Sequence, residues 1–314
     1  MTGKATWRLA AGSAMLAAGF LAGGCRAGGA ATSRPAGGAA VRAVVSIAPQ
    51  GYFLHRLGGP HVHVSVLVPP GSSSHTYEPA PRQISELAQA RLFFRVGAPF
   101  ERRLADRIAA NFPNLRLVDT RQGIALLPMT RAGHDEDEGP AAAAGDRGEE
   151  GLDPHIWLDP VLVKQQAATM AAALAQADPA HQRDYEANLH AFQRDLDAVD
   201  AELRQTLAPL KGKTFFVFHP AFGYFARRYG LVQAPVEIEG KEPSARQIGK
   251  LIDRAKAAGA RVIFVQPQFS TKAAAAIAQA IGGAVVPMDP QAEDYLANLR
   301  RMAAAIRKAL GGPT

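Results

Sequence analysis

An α/β fold of two lobes with mainly parallel sheets, joined by a long helix, is what the order of apolar patterns predicts. Three observations carry this. Strand-like and helix-like runs alternate from Val41 to Thr120. The same alternation restarts after Gly212. Between them, the stretch from Ala180 to Leu207 contains no Gly or Pro and repeats apolar residues in steps of three and four. Alternating strands and helices are the pattern of a parallel sheet with helices on both faces.

In the first half, VRAVVSI (41–47), VHVSVLVP (62–69), LFFRVG (92–97) and LRLVDT (115–120) are short runs rich in β-branched, aromatic and other apolar residues, and read as strands. Helical stretches fall near 49–58, 80–90 and 99–111. Residues 131–151 (RAGHDEDEGPAAAAGDRGEEG) break the rhythm and read as a mobile acidic loop. HIWLD (155–159) resumes ordered structure, and 161–176 is an Ala-rich helix. Asp178-Pro179 then looks like an N-cap followed by proline at the first helical position. Tyr185, Leu189, Phe192, Leu196, Val199, Leu203 and Leu207 mark one face of the helix that follows. At 1.5 Å per residue it reaches about 45 Å, which suits a strut between lobes. In the second half TFFVFH (214–219), QAPVEI (233–238), RVIFVQ (261–266) and AVVPMD (284–289) are strands. Helices are expected near 221–229, 244–259, 271–281 and 291–310.

The N-terminus has the shape of an export signal. Lys4 and Arg8 precede an apolar run from Leu9 to Gly24, which is short and Gly-rich for a spanning helix. The run ends at Cys25 in LAGGC, which resembles a bacterial lipobox although its leucine stands one residue further from the cysteine than is common. Two readings follow: Cys25 is lipidated and becomes the mature N-terminus, or it is incidental to an ordinary cleaved signal. The expected organisation is a lipoprotein-type signal peptide (1–25), a flexible tether (26–41), an N-terminal lobe (42–177), a linking helix (178–210) and a C-terminal lobe (211–314). The folded part is exported on either reading.

Composition excludes several classes. Of 314 residues, 47% are hydrophobic and 20% charged, which is ordinary for a globular protein. A single cysteine permits neither an intramolecular disulfide nor a cysteine-based zinc finger. The net charge of +7 comes mostly from scattered arginines with no basic run interleaved with aromatics, so no nucleic-acid partner is expected. P-loop, GxSxG and HExxH motifs are absent.

Open α/β sheets bind ligands beyond the carboxyl ends of their strands. The segments that follow the predicted strands and the acidic loop carry GSSSHTYEP with His75, DPHIWLDP with His155, HPAFGYF with His219, and Asp289-Pro290. Three imidazoles and a carboxylate suit a divalent transition metal, zinc first. Four protein ligands leave no place for a metal-bound water, which favours holding metal over catalysis. Each histidine taken alone is more simply a capping or hydrogen-bonding loop residue; all four candidates at strand ends, flanked by proline, reverse that reading.

SHTYEP (74–79), DPHIWLDP (153–160), FHPAFGYFARRYGL (218–231) and VEIEGKEPSARQI (236–248) together resemble the metal-specific, zinc/manganese-type solute-binding proteins of bacterial ABC importers. The resemblance runs from about Val44 to Ile306. It implies two α/β lobes on a rigid backbone helix, one metal in the cleft between them, and ligands at His75, His155, His219 and Asp289. Members thought to carry manganese commonly have Glu at the third position, and zinc-type members have His, as here. The implied role is an extracytoplasmic, monomeric, non-enzymatic protein that captures Zn²⁺ and delivers it to an ABC permease, held at the membrane if Cys25 is lipidated. Manganese or iron(II) cargo, a zinc hydrolase using Asp289 as general base, and an adhesin on the same fold are the alternatives. Zinc-type members often carry a His-rich loop before the second ligand; here that loop has only His134.

Around these ligands, Tyr77, Trp157 and Tyr224 are expected to wall the site. Asp159 and Glu237 or Glu239 are candidate acceptors for ligand imidazole N–H groups. His61 and His63 share a strand face at a chelating spacing, although ordinary strand histidines are the simpler reading.

Overall fold

The computed structural model describes residues 40–130, 151–237 and 244–311. The signal peptide, Cys25, nearly all of the tether, the acidic loop apart from Gly151, and Glu239 lie outside the described residues. Val41, placed at the end of the tether from sequence, is the buried first residue of a strand.

The N-terminal half runs β1 (Val41–Val45), α1 (Ala48–Gly58), β2 (Val62–Val66), α2 (Pro81–Gln89), β3 (Leu92–Arg95), α3 (Pro99–Asn111) and β4 (Arg116–Asp119). Then come α4 (Pro160–Ala177) and α5 (Gln182–Leu207). The second half runs β5 (Thr214–Val217), α6 (Gly223–Tyr229), β6 (Val232–Pro235), α7 (Ala245–Ala257), β7 (Val262–Val265), α8 (Lys272–Ala280), β8 (Ala284–Pro287) and α9 (Tyr295–Leu310). The two four-stranded sheets are wholly parallel and have the same order, β2-β1-β3-β4 and β6-β5-β7-β8. In each, the chain reverses its direction of strand addition between the two central strands.

Sequence and position agree within the sheets. Central β3 (LFFR), β5 (TFFV) and β7 (VIFV) are near-continuous apolar runs because both faces are covered. β6 and β8 end in proline, which an edge strand tolerates because its outer N–H groups need no ladder partner. Side chains alternate along β5. Phe215 and Val217 join the main core, whereas Phe216 and Phe218 join a second core with Leu251, Ala255 and Ile277 of α7 and α8. The second sheet is therefore packed on both faces.

Proline in the first turn opens α1, α2, α3 and α4, where its missing N–H costs nothing. Asp159 caps α4 by accepting from Val161 N at 2.9 Å. The turn at Pro179–His181 is 3₁₀, so the long helix begins at Gln182 and spans about 39 Å. Its predicted apolar row is buried at Tyr185, Phe192, Leu196, Val199, Leu203 and Leu207 and half-buried at Leu189. Each buried side chain of this size contributes about 1.5–3 kcal/mol. The row packs against α1, α4 and α9, so the strut carries core on both sides. From sequence, α9 belongs with the C-terminal lobe, yet it reaches back to the first. Tyr295 meets Phe53 of α1 edge-on at 4.9 Å and donates to the Trp157 carbonyl at 2.7 Å. No helix among the described residues is long and apolar enough to cross a membrane.

Candidate metal centre

The structure gathers three of the four predicted ligands. His75, His155 and His219 each offer a ring nitrogen, and these atoms all lie within 4.8 Å of one another. Asp289 is not in that group. Its Oδ1 accepts from Gln268 Nε2 at 3.1 Å and from Gln291 N at 2.9 Å.

The strand-end placement inferred from sequence holds for the second lobe only. His219 follows β5 by two residues, and Asp289 follows β8 by two. His75 lies well beyond β2, midway along the segment that leads to α2, and His155 precedes the 3₁₀ turn Ile156–Leu158 that leads into α4. The first lobe therefore supplies its ligands from long connections. The crevice of its own sheet is filled with buried polar side chains: Ser46, Gln50, Glu101 and Thr120.

Each first-lobe ligand has its own brace. Gln83, at the start of α2, accepts from Tyr77 OH at 2.5 Å and from Ala80 N at 3.0 Å, and donates to the Leu67 carbonyl, which pins both ends of the His75 segment. On the other side, Met129 N donates to the Gly151 carbonyl and Asp153 N to the Leu127 carbonyl, so an antiparallel clasp brings residues 127–129 and 151–153 together. Tyr224 of α6 donates to the Asp153 carbonyl at 3.0 Å and accepts from Leu127 N at 2.8 Å. Tyr77 and Tyr224 thus brace the ligand loops. Trp157 is the aromatic that lies against a first-lobe ligand, 5.1 Å from the His155 ring, with its Nε1–H donated to the Pro290 carbonyl.

Two imidazoles are oriented by carboxylates. His155 Nδ1 is 2.7 Å from Asp153 Oδ1, and His219 Nδ1 is 2.7 Å from Glu237 Oε1. A carboxylate can only accept, so each Nδ1 carries the hydrogen and each Nε2 presents its lone pair to the centre. Of the acceptors expected from sequence, Glu237 takes this role. Asp159, also expected, does not: its carboxylate caps α4 and pairs with Arg228 at 2.7 Å. Asp153 was missed. Its signal was present as an acidic residue two before the ligand in Asp-Pro-His, a spacing that lets one carboxylate oxygen accept both His155 N and Nδ1. Gly223 makes room for it, since a Cβ there would stand 2.8 Å from Asp153 Oδ2.

Burial sets the protonation states. His155 is 2% and His219 5% exposed, whereas His75 is half-buried. Desolvation, reinforced by neighbouring imidazoles, holds His75 and His155 well below the ordinary histidine range. Burial pushes Asp153 up to about 7. His219 Nε2 is buried and has no hydrogen-bond partner among the described residues, a state that a metal would resolve. His75 Nε2 and His155 Nε2 are 3.4 Å apart. Two nitrogens bound tetrahedrally to zinc at about 2.0–2.1 Å stand about 3.3–3.4 Å apart, so the donor set fits.

His61 and His63 lie outside this group. His61 sits in a 3₁₀ turn rather than the strand, stacks on His181 at 3.8 Å and pairs with Asp184, while His63 is exposed on β2.

Two parallel α/β lobes on a backbone helix, with preassembled imidazoles between them, define the class of metal-binding solute-binding proteins of ABC importers. The family model for the periplasmic zinc-uptake complex component A, ZnuA, matches residues 43–309. The chain belongs to that family. It is 30% identical over 227 residues to the high-affinity zinc uptake system protein ZnuA of Bacillus subtilis (strain 168), 70% of this chain and 68% of that protein. A ZnuA crystal structure superposes with a TM-score of 0.79 at 45% identity, covering 86% of this chain and 99% of the other. A zinc-bound ZnuA deletion mutant gives 0.78 at 43% identity, covering 88% and 100%.

Proposed function

We propose that this chain captures Zn²⁺ outside the cytoplasmic membrane at His75, His155, His219 and Asp289 and passes it to an ABC permease. The observation that carries the proposal is the imidazole cluster, with a 3.4 Å Nε2 separation and an unpartnered buried His219 Nε2. Imidazole at position 219, where a carboxylate would suit manganese, favours zinc over the harder ion. The family is one of metal transport rather than of enzymes. Asp289 acts here as the fourth donor and not as a general base, and the protein works as a monomer. Cys25 is lipidated, and the segment after it tethers the lobes to the membrane.

The test is to strip the protein of metal and titrate Zn²⁺ and Mn²⁺ against competing chelators, for wild type and His219→Ala. One tight zinc equivalent, weaker manganese and a marked loss in the variant are expected. Tight binding indifferent to His219 would overturn the ligand assignment. Turnover of an ester or peptide that depends on Asp289 would favour the hydrolase instead. Mass analysis of the mature N-terminus tests the lipid on Cys25.

A further inference from the structure

The connection after β7 serves both second-lobe ligands. Gln266 closes on the His219 backbone from both sides: its Oε1 accepts from His219 N at 3.1 Å and its Nε2 donates to the His219 carbonyl at 2.6 Å. Phe269 lies over the His219 ring at 5.1 Å. Between them, Gln268 reaches the next strand. Parallel pairing sets Val265 opposite Pro287, and the ladder runs one step further as Met288 N donates to the Val265 carbonyl at 2.9 Å. Residues just beyond those strand ends meet, and Gln268 Nε2 comes to Asp289 Oδ1.

Among the described residues, both donors to this carboxylate fall on the same atom. Gln268 Nε2 and Gln291 N each donate to Oδ1. A carboxylate oxygen has two lone pairs, so Oδ1 is saturated while Oδ2 retains its own. From this we propose that Gln268 is a positioning residue that sets metal selectivity. With Oδ1 occupied, Asp289 meets the ion through Oδ2 alone, giving three nitrogens and one oxygen in the tetrahedral arrangement zinc favours. Chelation through both oxygens, which would raise the coordination number toward what manganese takes, is withheld. This rests on the proposed zinc site, and it assigns to Gln268 a part in choosing the cargo.

Cobalt(II) reports coordination number directly, because four-coordinate cobalt absorbs visible light far more strongly than five- or six-coordinate cobalt. The protein would be loaded with Co²⁺ as wild type, His219→Ala, Gln268→Leu and Gln268→Glu, with thermal unfolding to check each fold. Glu is near-isosteric with Gln but has no N–H to donate. Both Gln268 variants are expected to lose several-fold of the visible absorbance. Their ratio of Zn²⁺ to Mn²⁺ affinity should fall about tenfold, the low end for loss of a partner that orients a ligand. An intense wild-type spectrum, lost in His219→Ala but unchanged in both Gln268 variants, would overturn the role of Gln268 and leave the site standing. A wild-type spectrum already weak, or indifferent to His219→Ala, would sink the site and the inference together.

Discussion

The two sheets have the same strand order and the same switch between central strands, yet they use that point differently. Beyond β5 and β7 it delivers a candidate ligand: His219 leaves β5 directly, clamped by Gln266 at the end of β7. Beyond β1 and β3 it holds a structural network. Glu101, near the start of α3, accepts from Val96 N at 2.9 Å and Gly97 N at 2.6 Å, and Gln50 joins Ser46 N to Thr120 Oγ1. The comparison teaches that a switch-point crevice is a place where backbone N–H groups and side chains converge. Whether it binds a ligand depends on whether the convergent groups satisfy one another. Around Glu101 they largely do, and at His219 one nitrogen is left over.

The largest expected effects separate the two points. His219→Ala should weaken zinc binding by more than about 100-fold, since losing a ligand exceeds the 10–100-fold typical of losing its partner. Its unfolding midpoint without metal should fall as well, because the buried Glu237 carboxylate loses its imidazole partner. Glu101→Ala should cost stability alone. It leaves two buried N–H groups without an acceptor, at about 3 kcal/mol by denaturant unfolding, while zinc stoichiometry stays at one. A Glu101 variant of normal stability that bound no zinc would break the comparison.

Asp153→Asn comes next, with zinc affinity lowered about tenfold through a less firmly oriented His155, read by chelator competition. Gly223→Ala should have a smaller effect in the same direction, because its Cβ presses on the other oxygen of that carboxylate.

The pH dependences oppose one another. His75 and His155 are held below the ordinary histidine value, so they stay neutral through pH 7 and their own protonation should weaken zinc only in acid, as protons displace the metal. Asp153, raised to about 7, adds an earlier decline of affinity as pH falls through 7, which Asp153→Asn should remove. Glu101 is raised by burial from its ordinary 4.5 to about 7. Over that interval the folded chain holds a proton that the unfolded chain has lost, so this group's contribution to stability declines as pH rises and levels off above 7. Glu101→Ala should remove that slope from metal-free unfolding curves.

Much of this was legible in the residues because the signals are local. Strand runs, helix periodicity and proline starts depend on near neighbours, and each predicted element appears within a few residues. His219 and Asp289 were legible as candidates for the same reason, standing at the ends of strong strand patterns. His75 and His155 were read as strand-end residues too, but they stand in long connections, since nothing between Val66 and His75 fixes where that segment turns. Asp153 was missed because Asp-Pro is common in turns, and its role exists only once Tyr224 and Gly223 of the other lobe fold against it.

The sequence by itself determined two α/β halves, the long apolar row that joins them, and a set of residues chemically suited to a transition metal. These follow from side-chain volume, periodicity and donor type, which are properties of the chain alone. Tertiary structure decided the rest: which sheet crevice was left unsatisfied, which carboxylates turn the imidazoles inward, and which oxygen of Asp289 is free. Each depends on contacts between segments far apart in the chain, such as Tyr224 with Asp153, Glu237 with His219 and Gln268 with Asp289, and these acquire a geometry only in the folded lobes.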